Sequence, residues 1–315
     1  ILVHSSPVAY SNISATSVMF GFQASNQYLI GEGSSQTIPT VECGDLLVST
    51  TINPDLYPTI SPQPNNTGIL IDSSFSEETI SGFNIIASGT GILSLSTATN
   101  TTNDFNDISI IGGLEGIRIE GNANHDLTDN ISFRDQTGVG LENNGRGEIR
   151  LAGTTFTDIS GTAIETTAGT LTATNISVNN TVGNGVIVGG ANQALFEMEA
   201  STISNSQEAG IVNRGDGSIN VVGSQITGSG THGVHTTSLA SGSINIAQSD
   251  IDGAITSGGV SSNGIFMEGS TSVSLANTST ISNALNGVNV TGNAEFNMDG
   301  GIISSITNDG IILQP

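Results

Sequence analysis

Two glutamates are the first residues whose spacing suggests chemistry. Taking the phrase Gly116-Ile117-Arg118 as one unit and Gly138-Val139-Gly140 as the next puts Glu120 and Glu142 at equivalent outward positions. On neighbouring strands such residues stand about 5 Å apart, the carboxyl separation of a retaining glycosidase. Arg118 precedes Glu120 on the same strand and Glu165 lies near. The same oxygens would suit Ca²⁺, a hard cation that takes carboxylate ligands. They are also what a solvated outer face carries when polar positions coincide. A lyase acting on a polyanionic sugar would need cations to hold its substrate. Arg118, Arg134, Arg146 and Arg150 fall close together, but Glu115, Asp135 and Glu148 offset them locally.

Other residues carry weaker signals. His232 and His235 form His-Gly-Val-His, without two further zinc ligands close by. On a strand, a spacing of three puts the two rings on opposite faces or around a turn. His125-Asp126 falls in the polar stretch 121–130, which reads as a turn. Arg214-Gly215-Asp216 is an integrin-type tripeptide in a Gly-rich turn, where Gly-Asp is also ordinary turn chemistry. One outward column is apolar at Leu93, Ile187, Val212, Phe266 and Ile312, and is interrupted by Arg118, Gly140, Glu165, His235 and Asn289. Such a column is either a contact surface or a frame misread by one residue. A second column, Thr172, Glu197, Asn220, Asn245, Ser274 and Asn297, is polar and suits hydrogen-bonded side-chain ladders.

The elements that must position these residues follow from a repeat. Gly-apolar-x recurs at Gly91, Gly116, Gly138, Gly185, Gly210, Gly233, Gly264, Gly287 and Gly310, with Ala163-Ile164-Glu165 between them. A second phrase, such as Ile149-Arg150-Leu151 or Ile219-Asn220-Val221, keeps the same beat, and a third, such as Gln225-Ile226-Thr227, follows it. Each phrase alternates apolar and polar, so each is a short strand with one inward face. Three such strands cannot bury their inner faces alone, but stacked repeats bury them as one column. The expected fold is all-β: a right-handed, three-sided parallel β-helix of about eleven or twelve coils. Residues 1–66, which hold most of the seven prolines, read as irregular first coils. Residues 67–315 read as one continuous regular domain. The long step from Gly233 to Gly264 places an inserted turn at 254–262. The last phrase, Ile311-Ile312-Leu313, has no polar cap, so the native chain is expected to continue or to meet a partner there.

The run Gln27-Tyr28-Leu29-Ile30-Gly31-Glu32-Gly33, then Thr79-Ile80-Ser81-Gly82-Phe83-Asn84-Ile85, then the repeated Gly-Ile phrases, resembles the pectin-lyase-like superfamily. Within it the chain looks most like passenger domains of bacterial autotransporter and inverse-autotransporter adhesins. The resemblance implies a right-handed β-helix displayed at the bacterial cell surface and joined to an anchoring region. Its motifs stack coils and specify no activity.

Composition narrows the function. The chain carries 28 acids against 5 bases, all arginine, for a net charge of -23. That field disfavours nucleic acid and anionic membranes. A single cysteine, Cys43, permits no internal disulfide, and no apolar run is long enough to span a bilayer. The expected function is a non-catalytic extracellular segment, an adhesin passenger or stalk. Its partners would be host or neighbouring-cell glycans or proteins, or other copies through the helix ends. It would need no cofactor, with Ca²⁺ at Glu120 and Glu142 as the possible exception. The alternatives are a polysaccharide hydrolase or lyase, and a self-stacking fibre subunit.

Overall fold

The computed structural model describes residues 57–314 apart from 63, 73–76, 100 and 254–262, together with six strands of two to four residues before them. Each coil lays down three short strands, and every strand pairs in parallel with its equivalent in the next coil. The first sheet runs through Thr67–Ile71, Thr90–Ser94, Glu115–Ile119, Val139–Asn143 and onward to Ile311–Gln314. The second contains Asn124–Thr128, Glu148–Ala152 and Ser218–Val222, and the third Ser132–Arg134, Thr155–Ile159 and Gln225–Ser229. From Thr67 the chain completes about 10 turns of a right-handed parallel β-helix. Val18–Gly21, Tyr28–Gly31 and Thr59–Ser61 pair onto its first regular coil. Thr37–Ile38 and Leu46–Leu47 form a separate antiparallel pair. The candidate insertion 254–262 lies outside the described residues, between the pairings Ser229–Gly253 and His232–Asn263.

The interior is a set of stacked columns. Ile69, Ile92, Ile117, Leu141, Ile164, Val186, Ile211, Val234, Ile265 and Val288 sit one above another and are fully buried. Each such side chain contributes about 1.5–3 kcal/mol by leaving water. Phe133 and Phe156 stack with ring centroids 4.6 Å apart and an interplanar angle of 2°. The glycines before Ile92, Ile117, Leu141, Val186, Ile211, Val234, Ile265 and Val288 are required by close approach, and Ala163 takes that place before Ile164. A Cβ at Gly264 would lie 2.2 Å from Ile281 Cγ2 and 2.7 Å from the Gly287 carbonyl oxygen.

One register differs from the sequence reading. Ile117 pairs with Leu141, not Val139, so the repeat unit is Gly140-Leu141-Glu142. Gly138 had the right residue type two positions early. Val139 pairs with Glu115 and is only half-buried, whereas Leu141 is fully buried.

The corner between the second and third sheets is built the same way in every coil. Gly82, Asp107, Asp129, Gly153, Asn175, Ala200, Gly223, Gln248, Asn277 and Gly300 all have positive φ, from 49° to 78°. A left-handed residue at this position in each coil turns the chain, and Gly, Asn and Asp take that conformation at least cost. Just past this corner a buried serine column holds the backbone. The Ser201 amide donates to Ser224 Oγ at 3.1 Å, the Ser224 amide to Ser249 Oγ at 3.1 Å, and the Ser249 amide to Ser279 Oγ at 3.3 Å. Each hydroxyl in turn donates to a carbonyl two or three residues back. The amides of Ser201, Ser224 and Ser249 and the hydroxyls that receive them are thereby paired inside the stack.

Candidate functional site

The outward residues of the first sheet form one continuous ladder. Its register runs Leu70, Leu93, Arg118, Glu142, Glu165, Ile187, Val212, His235, Phe266, Asn289 and Ile312. Glu142, Glu165 and the apolar residues singled out from the sequence therefore share one face, about 4.8 Å apart per coil. Leu93, Phe266 and Ile312 are half-buried, while Ile187 and Val212 are only 3% exposed and pack with Ala209 in a small cluster outside the main core.

The acidic half of the ladder centres on Arg118. Its guanidinium meets Glu115 at 3.2 Å, Glu142 at 3.6 Å, and Glu120 through a close ion pair. Glu115 also accepts a 2.7 Å hydrogen bond from Thr90, and Glu142 one of 2.9 Å from Asn144. The register corrects the expected pairing of Glu120 with Glu142. Arg118 is the residue opposite Glu142, and Glu120 lies beyond the end of its strand. The carboxylates on adjacent coils are Glu142 and Glu165. Burial pushes the Glu142 carboxyl above the usual carboxylate range; Asn144 and Arg118 pull it down and the neighbouring Glu115 and Glu165 push it up. Arg118 supplies the cation that these acids face, and among the described residues no three metal-ligating side chains come together.

The other half is aromatic. His232 and His235 lie on the same side, with ring centroids 5.0 Å apart, contrary to the separation read from their spacing. Gly233 and Val234 turn inward, and His232, at the first position of the strand, swings to the outer face beside His235. Phe266, one coil on, approaches both rings, at 4.9 Å from His232 and 5.3 Å from His235. Asn263 Nδ2 lies 3.1 Å from His232 Nδ1, and His235 Nε2 lies 3.2 Å from Glu268. Burial, with the nearby His235, lowers the His232 pKa to about 4, so the ring is neutral at pH 7. On the Val212 side the imidazoles wall a recess of about 340 Å³ that also touches Asn184, Glu208, Ala209 and Arg214.

Arg214 and Asp216 of the integrin-type tripeptide are exposed on a short turn that lies against the neighbouring coil. The Arg214 amide donates to the Val188 carbonyl at 2.8 Å, and Asp216 accepts from Ser241 at 2.7 Å. His125 is no turn residue: it sits on Asn124–Thr128, fully buried, 2.8 Å from Ser94 Oγ, with burial lowering its pKa to about 4. In the polar column of the second sheet Asn245 donates to Asn220 at 3.0 Å. A longer groove of about 900 Å³ follows the corner after the third sheet, past Asp135, Asp158, Asn180 and Asn205. These four have φ of 57–62°, another left-handed column, and the groove lining offers neither a ring nor a cation. The sequence reading missed it, although Asp, Asp, Asn and Asn at a fixed beat were its visible sign.

No family model matches the chain, and no curated protein matches it. Among solved structures it is similar to the A-module of the Azotobacter vinelandii mannuronan C-5 epimerase AlgE4. The TM-score is 0.56 at 13% identity, over 82% of this chain and 86% of that one. It is also matched to the AlgE6 A-module of the same organism, with a TM-score of 0.45 at 14% identity over 82% and 88% of the two chains. A Streptococcus pneumoniae surface protein and adhesin, PfbA, follows with a TM-score of 0.32 at 9% identity, over 81% and 91%. At these identities the likeness establishes the right-handed parallel β-helix fold and nothing finer.

Proposed function

We propose that the chain is a non-catalytic, extracellular segment of a bacterial surface protein, an adhesin passenger or stalk, that offers its first-sheet face to an extended glycan. The single observation behind this reading is the in-register ladder from Leu93 to Phe266, which places a salt-bridged acidic centre and an aromatic patch on one flat, open line. An extended chain can lie along such a line, whereas nothing there among the described residues encloses a reacting bond. Arg118 joins Glu115, Glu120 and Glu142 into one ion-pair network, which suits a rigid surface better than an acid and a nucleophile facing a vacant gap. The fold is shared with a module whose name is that of an enzyme acting on a sugar polymer, a mannuronan epimerase, which is compatible with a glycan partner here. The negative, lysine-free surface would keep a long repetitive stalk soluble. Ca²⁺ remains a candidate ligand of the acidic centre.

A second reading rests on Glu142. Its carboxyl is raised by burial and stands one coil from Glu165, so the two resemble an acid and a nucleophile at retaining separation. A glycan-array screen of the purified segment, with and without Ca²⁺ and also read for oligosaccharide turnover, decides between them. Binding without turnover is the expected result. Turnover abolished by Glu142→Gln would replace the adhesin with a hydrolase.

A further inference from the structure

The recess beside His235 has features that a merely solvated surface does not need. Its volume of about 340 Å³ is at the small end of ligand sites, the scale of one sugar ring. Its walls alternate in character. Val212 and Ala209 are apolar and almost completely buried, and the two imidazoles close one side. Phe266 stacks on the His235 ring at 5.3 Å and meets the His232 ring at a tilt at 4.9 Å. Around this apolar wall stand polar groups with capacity to spare. Glu208 accepts one hydrogen bond, from Asn184 at 2.6 Å, and its other oxygen has no partner among the described residues. The Arg214 side chain is exposed and makes no ion pair among the described residues. A pyranose has the matching build: an apolar C–H face for the rings and Val212, and a rim of hydroxyls for a carboxylate, an amide and a guanidinium.

Charge separates the sugars that would fit. Along the ladder and its rim stand Glu115, Glu120, Glu142, Glu165, Glu208 and Glu268 against Arg118 and Arg214. His232, kept neutral by burial, adds no cation. A chain bearing a carboxylate on every ring would be repelled over its whole length. We propose that this recess is a subsite for one uncharged pyranose ring of a bound glycan, and that it selects neutral glycans over polyuronates. The inference rests on the reading that this face binds glycans, and it names the class.

The test is calorimetric titration of the purified chain with three hexasaccharides: β-1,4-linked glucose, β-1,4-linked N-acetylglucosamine, and mannuronate. Wild-type protein should bind at least one neutral hexamer and leave mannuronate unbound at 150 mM salt. Thr237 also lines the recess and is half-buried. Thr237→Trp, which would fill it, and His235→Ala should each weaken that binding tenfold or more, with circular dichroism and Tm unchanged. Arg134→Ala, on another sheet, should leave it as it is. Neutral binding that survives both recess variants would sink the subsite while leaving the glycan-binding face standing. Mannuronate bound as tightly as the neutral chains would overturn the selectivity. If none of the three hexamers binds and the glycan array is also blank, the reading of the face falls and the subsite with it.

Discussion

The corner between the second and third sheets and the outer ladder of the first sheet are equally regular in backbone and opposite in what they tolerate. At the corner ten successive coils place a left-handed residue at the same position, and eight of the ten are Gly, Asn or Asp. Beyond it the serine column repeats one hydrogen bond from coil to coil. On the ladder, which belongs to a different sheet of the same coils, neighbouring positions change from leucine to arginine, glutamate, isoleucine, histidine and phenylalanine. The inward half of each strand is dictated by stacking, because a buried group must be matched in the coils above and below. The outward half is free of that demand, so it is where binding chemistry can be written without cost to the fold.

The contrast can be broken from the inside first. Phe156→Ala removes a ring that lies flat on Phe133 at 4.6 Å, and should cost about 3–5 kcal/mol in chemical denaturation. A loss below about 1 kcal/mol would show that the coils collapse around cavities, contrary to a rigid stack. Acid comes next. The folded-state pKa of His125 is depressed to about 4 from 6.5, so between those values the unfolded chain binds a proton that the native chain refuses. Stability is therefore full above pH 6.5 and falls as pH drops toward 4, by about 3 kcal/mol from this residue. His232 has the same sign. His125→Gln should flatten the slope of unfolding free energy between pH 6.5 and 4; an unchanged slope would mean that the buried imidazole is not the group being titrated. Ser224→Ala follows at about 1–3 kcal/mol, because it strands the buried Ser201 amide.

How much of this was legible in the sequence follows the same division. The three sheets, the stacked apolar columns and the in-register outer ladder could be read because the Gly-apolar phrase repeats and burial forces the repeat to match. The error at Gly138 arose where two glycines stand two apart in the phrase Gly138-Val139-Gly140. Both satisfy the pattern, and only the burial of Leu141 and the approach of a Gly140 Cβ to within 2.8 Å of Phe156 distinguish them. That slip of two residues turned the Arg118–Glu142 opposition into a Glu120–Glu142 pair. The meeting of His232 with His235 was illegible for a different reason. Period-two alternation holds along a strand and fails at its first residue, where the chain is still turning. His125 was misplaced because a polar stretch reads as a turn unless its partners are known, and those are Ser94 and Asn103, a coil or more away.

The smallest effect sharpens the comparison most. Arg118 is 39% exposed on the ladder, so replacing it with methionine should cost at most about 1 kcal/mol at pH 7, far less than the interior changes. The loss should depend on pH in a stated direction. Without the guanidinium, Glu115, Glu120, Glu142 and Glu165 face one another with no cation between them. The Glu142 carboxyl, already above its usual range through burial, would rise further. A carboxyl whose folded pKa is raised contributes stability below its unfolded pKa and loses it as pH climbs through the folded value. The variant should therefore match wild type near pH 4 and fall behind toward neutrality, in paired thermal melts from pH 4 to pH 8. A gap that is constant across that range would mean that Arg118 acts by packing its stem on the strand. A gap of several kcal/mol at pH 7 would show that the ladder, too, is part of what holds the coils together.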